Sequence, residues 1–173
     1  FQQKETKTMA KTTQRTRKIQ VTDTITLGAN AVVRKKQGND YAVLIPDQTT
    51  KVLTTTKAVL ASESGTRFIL NTATAFVSTL PEPVEGMEYT FIIGATAPTT
   101  THTIVTNGSA NIIVGNITSP EDALGSVSVV QDADTISFIA SKALHGDYVH
   151  VFSDGTNWYI NGMCAVQDGM TTT

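Results

Sequence analysis

Apolar and polar residues alternate along much of this chain, and alternation with a period of two is the pattern of half-buried β-strands. It is clearest in the stretch Gly146–Gly162, where two runs rich in Val, Ile and aromatic residues flank Asp154-Gly155. This pair tolerates the positive φ angles that a tight turn requires. We therefore predict a β-hairpin, which contains the only tryptophan of the chain, Trp158.

The length of the hairpin loop decides which side chains face each other. With a two-residue loop, Val151 would face Trp158 and Val149 would face Ile160. A four-residue loop over 154–157 would shift these pairs, and the sequence leaves both alternatives open. With the two-residue loop these four residues make one apolar face, and in either case the stretch forms a hairpin.

The second face of the hairpin carries Tyr148, Phe152 and Tyr159. This is more aromatic surface than a solvated strand usually exposes. Two explanations remain open: the strands are buried on both sides of a sandwich, or the aromatic face is a subunit interface. The second explanation makes these three side chains candidate interface residues.

Short β-prone runs separated by turn signals recur through the rest of the chain. Only Ser119–Leu124 offers a helix start, with a proline and two acids in its first turn. Many short strands at this spacing predict an all-β fold, an antiparallel sandwich or barrel-like domain. We place its strands near residues 51–61, 67–70, 75–80, 88–93, 102–105, 111–114, 127–130, 135–139, 148–152 and 157–160.

The chain divides by composition into three segments. Residues 1–18 contain six Lys or Arg and almost nothing apolar, which predicts an extended, flexible basic arm. Residues 19–61 are predicted to form N-terminal strands, with alternation at Ile19–Leu27 and a hairpin turn at Gly38–Asp40. Residues 62–173 are predicted to form the main β domain.

The first eight residues have a separate interpretation. Met9-Ala10-Lys11 has the form of a translation start, and Lys4-Glu5 can be encoded by AAGGAG, a bacterial ribosome-binding sequence. This sequence would lie at a suitable distance upstream of the Met9 codon. We therefore interpret residues 1–8 as translated upstream sequence.

Charge is distributed unevenly along the chain. Residues 1–57 hold 11 Lys or Arg and 4 Asp or Glu, a net charge of +7, whereas residues 58–173 hold 2 and 11, a net charge of −9. A basic segment on an acidic body suits binding to an acidic protein surface. We do not expect nucleic acid as a partner, because the acidic body would repel it. No apolar run is long enough for a transmembrane helix, so we expect no membrane partner.

Catalytic and metal-binding patterns are scarce in the sequence. His145, Asp147 and His150 lie close together, but residues 147 and 150 would point to opposite faces of a strand, which argues against a shared metal. No nucleophile elbow and no phosphate-binding glycine loop occurs. We expect a non-enzymatic protein without cofactor or metal, in which Cys164 is a small buried side chain.

A series of motifs over residues 65–162 resembles a β-rich domain of tailed-bacteriophage virion proteins. Such domains are found in capsid decoration (cement) proteins and in some tail fibres, and the resemblance provides no catalytic residues. The segments that carry it are Thr79–Pro81, Gly86–Ile93, His102–Ile104, Thr135–Ala140, Gly146–Val149 and Ser153–Tyr159.

The resemblance implies a decoration protein that is made in the host cytoplasm and stabilises the head from the capsid exterior, as a trimer. Its partners would be the major capsid protein and other copies of itself. In this interpretation the arm residues Lys11, Arg15, Arg17 and Lys18 bind the capsid, and Tyr148, Phe152 and Tyr159 form subunit contacts.

The alternative is a tail-fibre or spike module that binds a host surface glycan. That function predicts an exposed aromatic ring that stacks on sugar, such as Trp158 or Tyr89. We favour a core position for Trp158, because a lone tryptophan on an apolar strand face usually anchors packing.

If the basic arm attaches the protein to a capsid, deletion of residues 1–18 should lower capsid occupancy while the β domain stays folded. Charge reversal at Arg15, Arg17 and Lys18 should give a similar loss, larger at low salt because exposed charges are screened as ionic strength rises. Co-sedimentation with capsids across a salt series measures this. Wild-type affinity of the truncated protein at every salt concentration would place attachment on the β body.

Overall fold

A computed structural model describes residues 34–37, 40–43, 49–96, 98–120 and 126–173. The chain forms two compact units, Phe1–Leu44 and Ile45–Thr173. In the first unit, strands β1 (Arg34–Gln37) and β2 (Asp40–Val43) pair antiparallel. This confirms the hairpin predicted there. The basic arm with Lys11, Arg15, Arg17 and Lys18, and the predicted strand at 19–27, lie outside the described residues.

The second unit is built almost entirely from short strands. Those whose apolar residues alternate most regularly, such as Glu88–Ile93, lie where the sequence predicts them. The predicted helix at 119–124 falls mainly outside the described residues. The strands are β3 (Thr50–Leu53), β4 (Lys57–Ala58), β5 (Thr66–Leu70), β6 (Val77–Thr79), β7 (Glu88–Ile93), β8 (His102–Val105), β9 (Ile113–Ser119), β10 (Ser126–Ala133), β11 (Thr135–Phe138), β12 (Tyr148–Ser153), β13 (Trp158–Met163) and β14 (Met170–Thr172).

Two packed sheets make an all-β sandwich, as predicted. One has seven strands in the order β10-β9-β13-β12-β7-β5-β3, and the other has five in the order β14-β11-β8-β6-β4. The sheets are mixed, whereas the sequence suggested antiparallel ones. From β3 to β9 the chain changes sheet after every strand, so strands that are neighbours within a sheet, such as β3, β5 and β7, run parallel.

The predicted hairpin is formed by β12 and β13, and its loop has four residues. Val151 pairs with Ile160 and Ser153 pairs with Trp158, so the two-residue loop is wrong. The reason is an Asx turn, in which the Asp154 carboxylate accepts the backbone N–H groups of residues 156 and 157, each at 2.8 Å. The apolar face is nevertheless as predicted, because the pairs shift by two positions and keep their faces.

The core is a single layer of side chains between the two sheets. Its centre is aromatic, with the Phe68 and Phe91 rings stacked at 5.3 Å and the Tyr89 and Trp158 rings 5.9 Å apart. Trp158 is fully buried, which confirms its predicted place in the core. The five-stranded sheet contributes mainly isoleucine and phenylalanine side chains, including Ile104, Ile136 and Phe138.

Gly115 allows β9 to approach β13 closely. Its φ angle is +143°, and a Cβ atom at this position would lie 2.1 Å from the carbonyl oxygen of Ile160. Any side chain would therefore collide with the backbone of β13. The parallel β9–β13 pair joins β10 and β9, at one edge of the sheet, to the other five strands. This pair depends on the glycine.

Glu63 links the two sheets at the start of the domain. Its carboxylate lies 2.7 Å from Nζ of Lys51 on β3 and 2.9 Å from Nζ of Lys57 on β4, strands that belong to different sheets. The backbone N–H of Leu60 donates to the same carboxylate at 2.9 Å. Burial opposes ionisation, but these hydrogen bonds outweigh it and lower the pKa of Glu63 from 4.5 to about 2.

Trp158→Ala should lower the free energy of unfolding by about 3–5 kcal/mol, as large aromatic truncations in cores do. The indole N–H has no hydrogen-bond partner among the described residues, so the loss is one of packing. Chemical denaturation followed by circular dichroism measures it. Phe152→Ala, on the exposed face of the same hairpin, is the matched control and should cost about 1 kcal/mol or less. Equal losses would contradict the core assignment.

Glu63→Gln should destabilise the domain by about 1–3 kcal/mol at pH 7. Because the folded-state pKa is depressed, the stabilisation by the ionised group is present above pH 4.5 and is lost as the pH falls towards 2. The difference between wild type and variant should therefore shrink over that range in urea denaturation curves.

Asp168→Asn is the control for the Glu63 experiment. Asp168 pairs with Lys142 at 3.5 Å, and both side chains are largely exposed. Removal of this pair should change stability little at any pH, because solvent screens exposed ion pairs. A pH-independent effect of Glu63→Gln would show that its carboxylate charge does not stabilise the fold.

Candidate functional site

The outer face of the seven-stranded sheet, formed by the side chains that point away from the core, carries a largely apolar row. The strand registers bring one outward residue of each strand into line across the whole sheet. Six of the seven are apolar. From β3 to β10 the row reads Val52, Ile69, Ile92, Tyr148, Met163, Thr118 and Val127.

These side chains are not covered by the described residues. Val52 is 60% exposed, Val127 58% and Met163 47%, while Ile69, Ile92 and Tyr148 are half-buried. Five of the nine large hydrophobic side chains that stand exposed in the described residues lie on the outer face. The other two of these five are Val129 and Phe152. The apolar exposure of this unit is therefore concentrated on one surface.

An aromatic stack lies beside the apolar row on β12 and β13. The rings of His150 and Phe152 are 5.8 Å apart and those of Phe152 and Tyr159 are 5.4 Å apart, both nearly parallel. Alternation along the two strands places all three rings outward. They extend the apolar surface towards the hairpin loop.

The hairpin loop holds Tyr159 in place. Its hydroxyl donates to the Asp154 carboxylate at 3.0 Å. This bond raises the pKa of Tyr159, and the hydrogen bonds from the backbone of Asn157 and Thr156 lower the pKa of Asp154. The ring at the end of the stack therefore has a fixed orientation although it is partly exposed.

Charges on the outer face are few and of both signs. Glu88 on β7 lies 3.6 Å from the imidazole Nε2 of His150, and Arg67 extends from the neighbouring strand β5. These three residues line a cavity of about 210 Å³ together with Gly65, Thr66, Tyr89 and Thr90. A carboxylate, an imidazole and a guanidinium thus make a polar edge to the apolar surface.

The structure brings together the predicted interface residues Tyr148, Phe152 and Tyr159 on the outer face. Phe152 is 44% exposed, so burial of this strand on both sides of a sandwich is wrong. Their role in subunit contacts stays a prediction. Apart from Tyr148, the sequence did not single out the members of the apolar row, such as Val52 and Met163, because they are recognisable only once the register of all seven strands is known.

The aromatic residues proposed for sugar stacking are both in the core. Trp158 is completely buried and Tyr89 is 1% exposed. The Tyr89 hydroxyl donates to the carbonyl of Leu60 at 3.1 Å, and burial together with the charge of Glu63 raises the pKa of Tyr89 to about 12. Neither ring can stack on a glycan, so this part of the tail-fibre hypothesis is wrong.

The His145–His150 segment is a loop and strand start shaped by Asp147. The Asp147 carboxylate is buried and accepts the backbone N–H groups of Leu144 at 2.8 Å and Ala165 at 2.9 Å. Asp147 therefore closes the loop before β12. In the part of the chain that the structure describes, no cluster of three or more His, Cys, Asp or Glu side chains could hold a metal ion.

Two further side chains with reactive groups, Cys164 and His102, are buried in the core. Burial raises the pKa of the Cys164 thiol, consistent with the predicted role of a small buried side chain. His102 donates from Nε2 to the carbonyl of Thr72 at 2.9 Å and lies 4.4 Å from the Phe76 ring. Burial lowers the pKa of His102, so its imidazole is neutral at pH 7.

Comparisons with protein-family models, with curated proteins and with solved structures find no match to this chain. Within the described ranges, no helix is both long and apolar enough to cross a membrane. The outer face of the seven-stranded sheet is accordingly the candidate functional site on geometric grounds alone.

Proposed function

We propose that this protein is a non-enzymatic structural protein of a tailed-phage virion, a decoration protein that coats the capsid exterior as a homo-oligomer, with a trimer as the proposed form. The observation that supports this most is the apolar row across all seven strands of the outer face. A flat, extended apolar surface suits contact with a macromolecule rather than enclosure of a small substrate.

Decoration of a shell relies on many weak contacts that act together. Subunits joined in one oligomer bind neighbouring sites on the shell with a high effective concentration, so modest affinity per subunit is enough. In this function the subunits are joined in one oligomer, and the basic arm with Lys11, Arg15, Arg17 and Lys18 binds the major capsid protein. Such an arm can order on an acidic surface and cover a large area of it.

A tail-fibre or spike module that binds a glycan is the second candidate. One observation favours it, since the Phe152 and Tyr159 rings are stacked, partly exposed and adjacent to the Asp154 carboxylate. Aromatic faces next to hydrogen-bonding groups suit sugar binding. The apolar row favours assembly more strongly, because it extends far beyond the area that a sugar ring would cover.

Cryo-electron microscopy of virions that contain the protein tests this function directly. We expect density at regular positions over the whole head, and heads without the protein should break at lower temperature or after milder osmotic shock. Re-addition of the purified protein should restore head stability at saturating occupancy. Density confined to the tail would overturn the decoration function and favour the glycan-binding one.

A further inference from the structure

We infer that the outer face of the seven-stranded sheet is covered by a second copy of this chain. The inference rests on the proposed function in one respect, since a decoration protein of this kind works as a homo-oligomer. It adds where the copies meet, which the proposed function leaves open. Four properties of the face support the inference: its size, its exposed apolar side chains, its charge and its shape.

The size of the face matches a specific protein interface. Six gaps of about 4.8 Å between seven strands give the apolar row a length of roughly 29 Å. The outer face has three rows of outward residues: the apolar row, the row through Arg67, Thr90 and His150, and the row through Glu88, Phe152 and Tyr159. Together the three outward rows span roughly 15–20 Å along the strands. The flat footprint is therefore on the order of 500 Å². Two copies together would bury about 1,000 Å² or more, which is the total area that a specific interface needs.

The composition of the face resembles an interface core. Its apolar row is interrupted only by Thr118, and the polar residues that flank the row are mostly Thr and Asn, which carry no charge. Tyr148 lies at its centre on the middle strand β12, and Met163 lies beside it on the neighbouring strand β13. Methionine and tyrosine are among the side chains enriched at protein interfaces, where charged residues are depleted.

The charge of the face identifies a second copy as the best partner. Residues 45–173, the second unit, hold 4 Lys or Arg and 12 Asp or Glu, a net charge of −8, so two such bodies repel each other over most of their surface. Among the described residues of the three outward rows, the formal charges are Arg67 and Glu88, which cancel. This is the neutral surface on which two acidic bodies can meet. A strongly charged partner would find no complementary field there.

The shape of the face also suits a copy of itself. A pleated sheet packs well on another pleated sheet, with side chains of the two faces interdigitated and the sheets about 10 Å apart. In a contact between two copies, the outer face of each copy packs against an identical pleated surface. Contact through this face would bring Tyr148, Phe152 and Tyr159 into the interface, which is the role the sequence predicted for them.

Sedimentation velocity of the full-length protein over a concentration series tests the inference. We expect wild type to sediment as an oligomer and Met163→Lys to weaken association at least about tenfold, because a lysine there would be desolvated without a partner. The double variant Val129→Lys with Met163→Lys should sediment as a monomer. Both positions are exposed in the single chain, so the fold should tolerate the change, and circular dichroism checks that it does.

Val77→Lys is the matched control. Val77 is 37% exposed and lies on β6 of the five-stranded sheet. The adjacent Ser78 is fully buried, so the Val77 side chain points away from the core on the other sheet. The substitution introduces the same charge and should leave association unchanged. Monomeric wild type at all concentrations would overturn the inference. An oligomer that persists in the folded double variant would also overturn it, because association would then use another surface.

Failure of the inference and failure of the proposed function give different results. An oligomer that depends on Met163 but never binds heads would sustain the inference and refute decoration. A monomer that nevertheless coats heads would do the reverse. The measured mass also determines the stoichiometry. A face that pairs with itself forms a two-fold contact, so two copies, or another even number, would agree with the inference. Three copies would support the proposed trimer and would overturn this contact between the outer faces.

Discussion

The structure depends on one constraint, which is that a β-strand can direct only every second side chain into the core. In this sandwich the inward positions are taken by residues such as Phe68, Phe91 and Val149, and together they fill the single apolar layer between the two sheets. The remaining positions necessarily point outward. Because the strands are paired in step from β3 to β10, the outward residues form straight rows across the sheet. The same strand registers therefore determine which side chains fill the core and which side chains form the outer surface.

More chain connections run between the two sheets than in a sandwich built from consecutive hairpins. The chain passes from one sheet to the other after nearly every strand, so the core is crossed by many connections and the pairs within each sheet are parallel as well as antiparallel. Two local features stabilise this arrangement. Glu63 bridges lysines from both sheets, and Gly115 removes the side chain that would keep β9 from β13.

Much of the fold could be predicted from the sequence because alternation is a local property. Strand β7 was predicted at its observed position, since Tyr89, Phe91 and Ile93 alternate with less apolar residues between clear turn signals. The three-residue strand β14 is too short to show alternation, and it was missed. Strand direction leaves no local trace either, so the parallel pairs could not be predicted.

The candidate site shows the same division between local features, which the sequence reveals, and features that depend on strand pairing. Phe152 and Tyr159 attracted notice by their size, whereas Val52 looks unremarkable until its neighbours on the sheet are known.

The apolar row has a consequence for how the cell handles the chain. Its members come from seven different strands, and along the sequence the first is Val52 and the last is Met163. No short peptide from this protein contains the row, and a chain that has lost or misplaced any one strand has a gap in it. The surface comes into existence only when almost the whole domain has folded. A partner that binds this surface therefore binds completely folded molecules and not defective ones. No additional recognition step is needed for this selection.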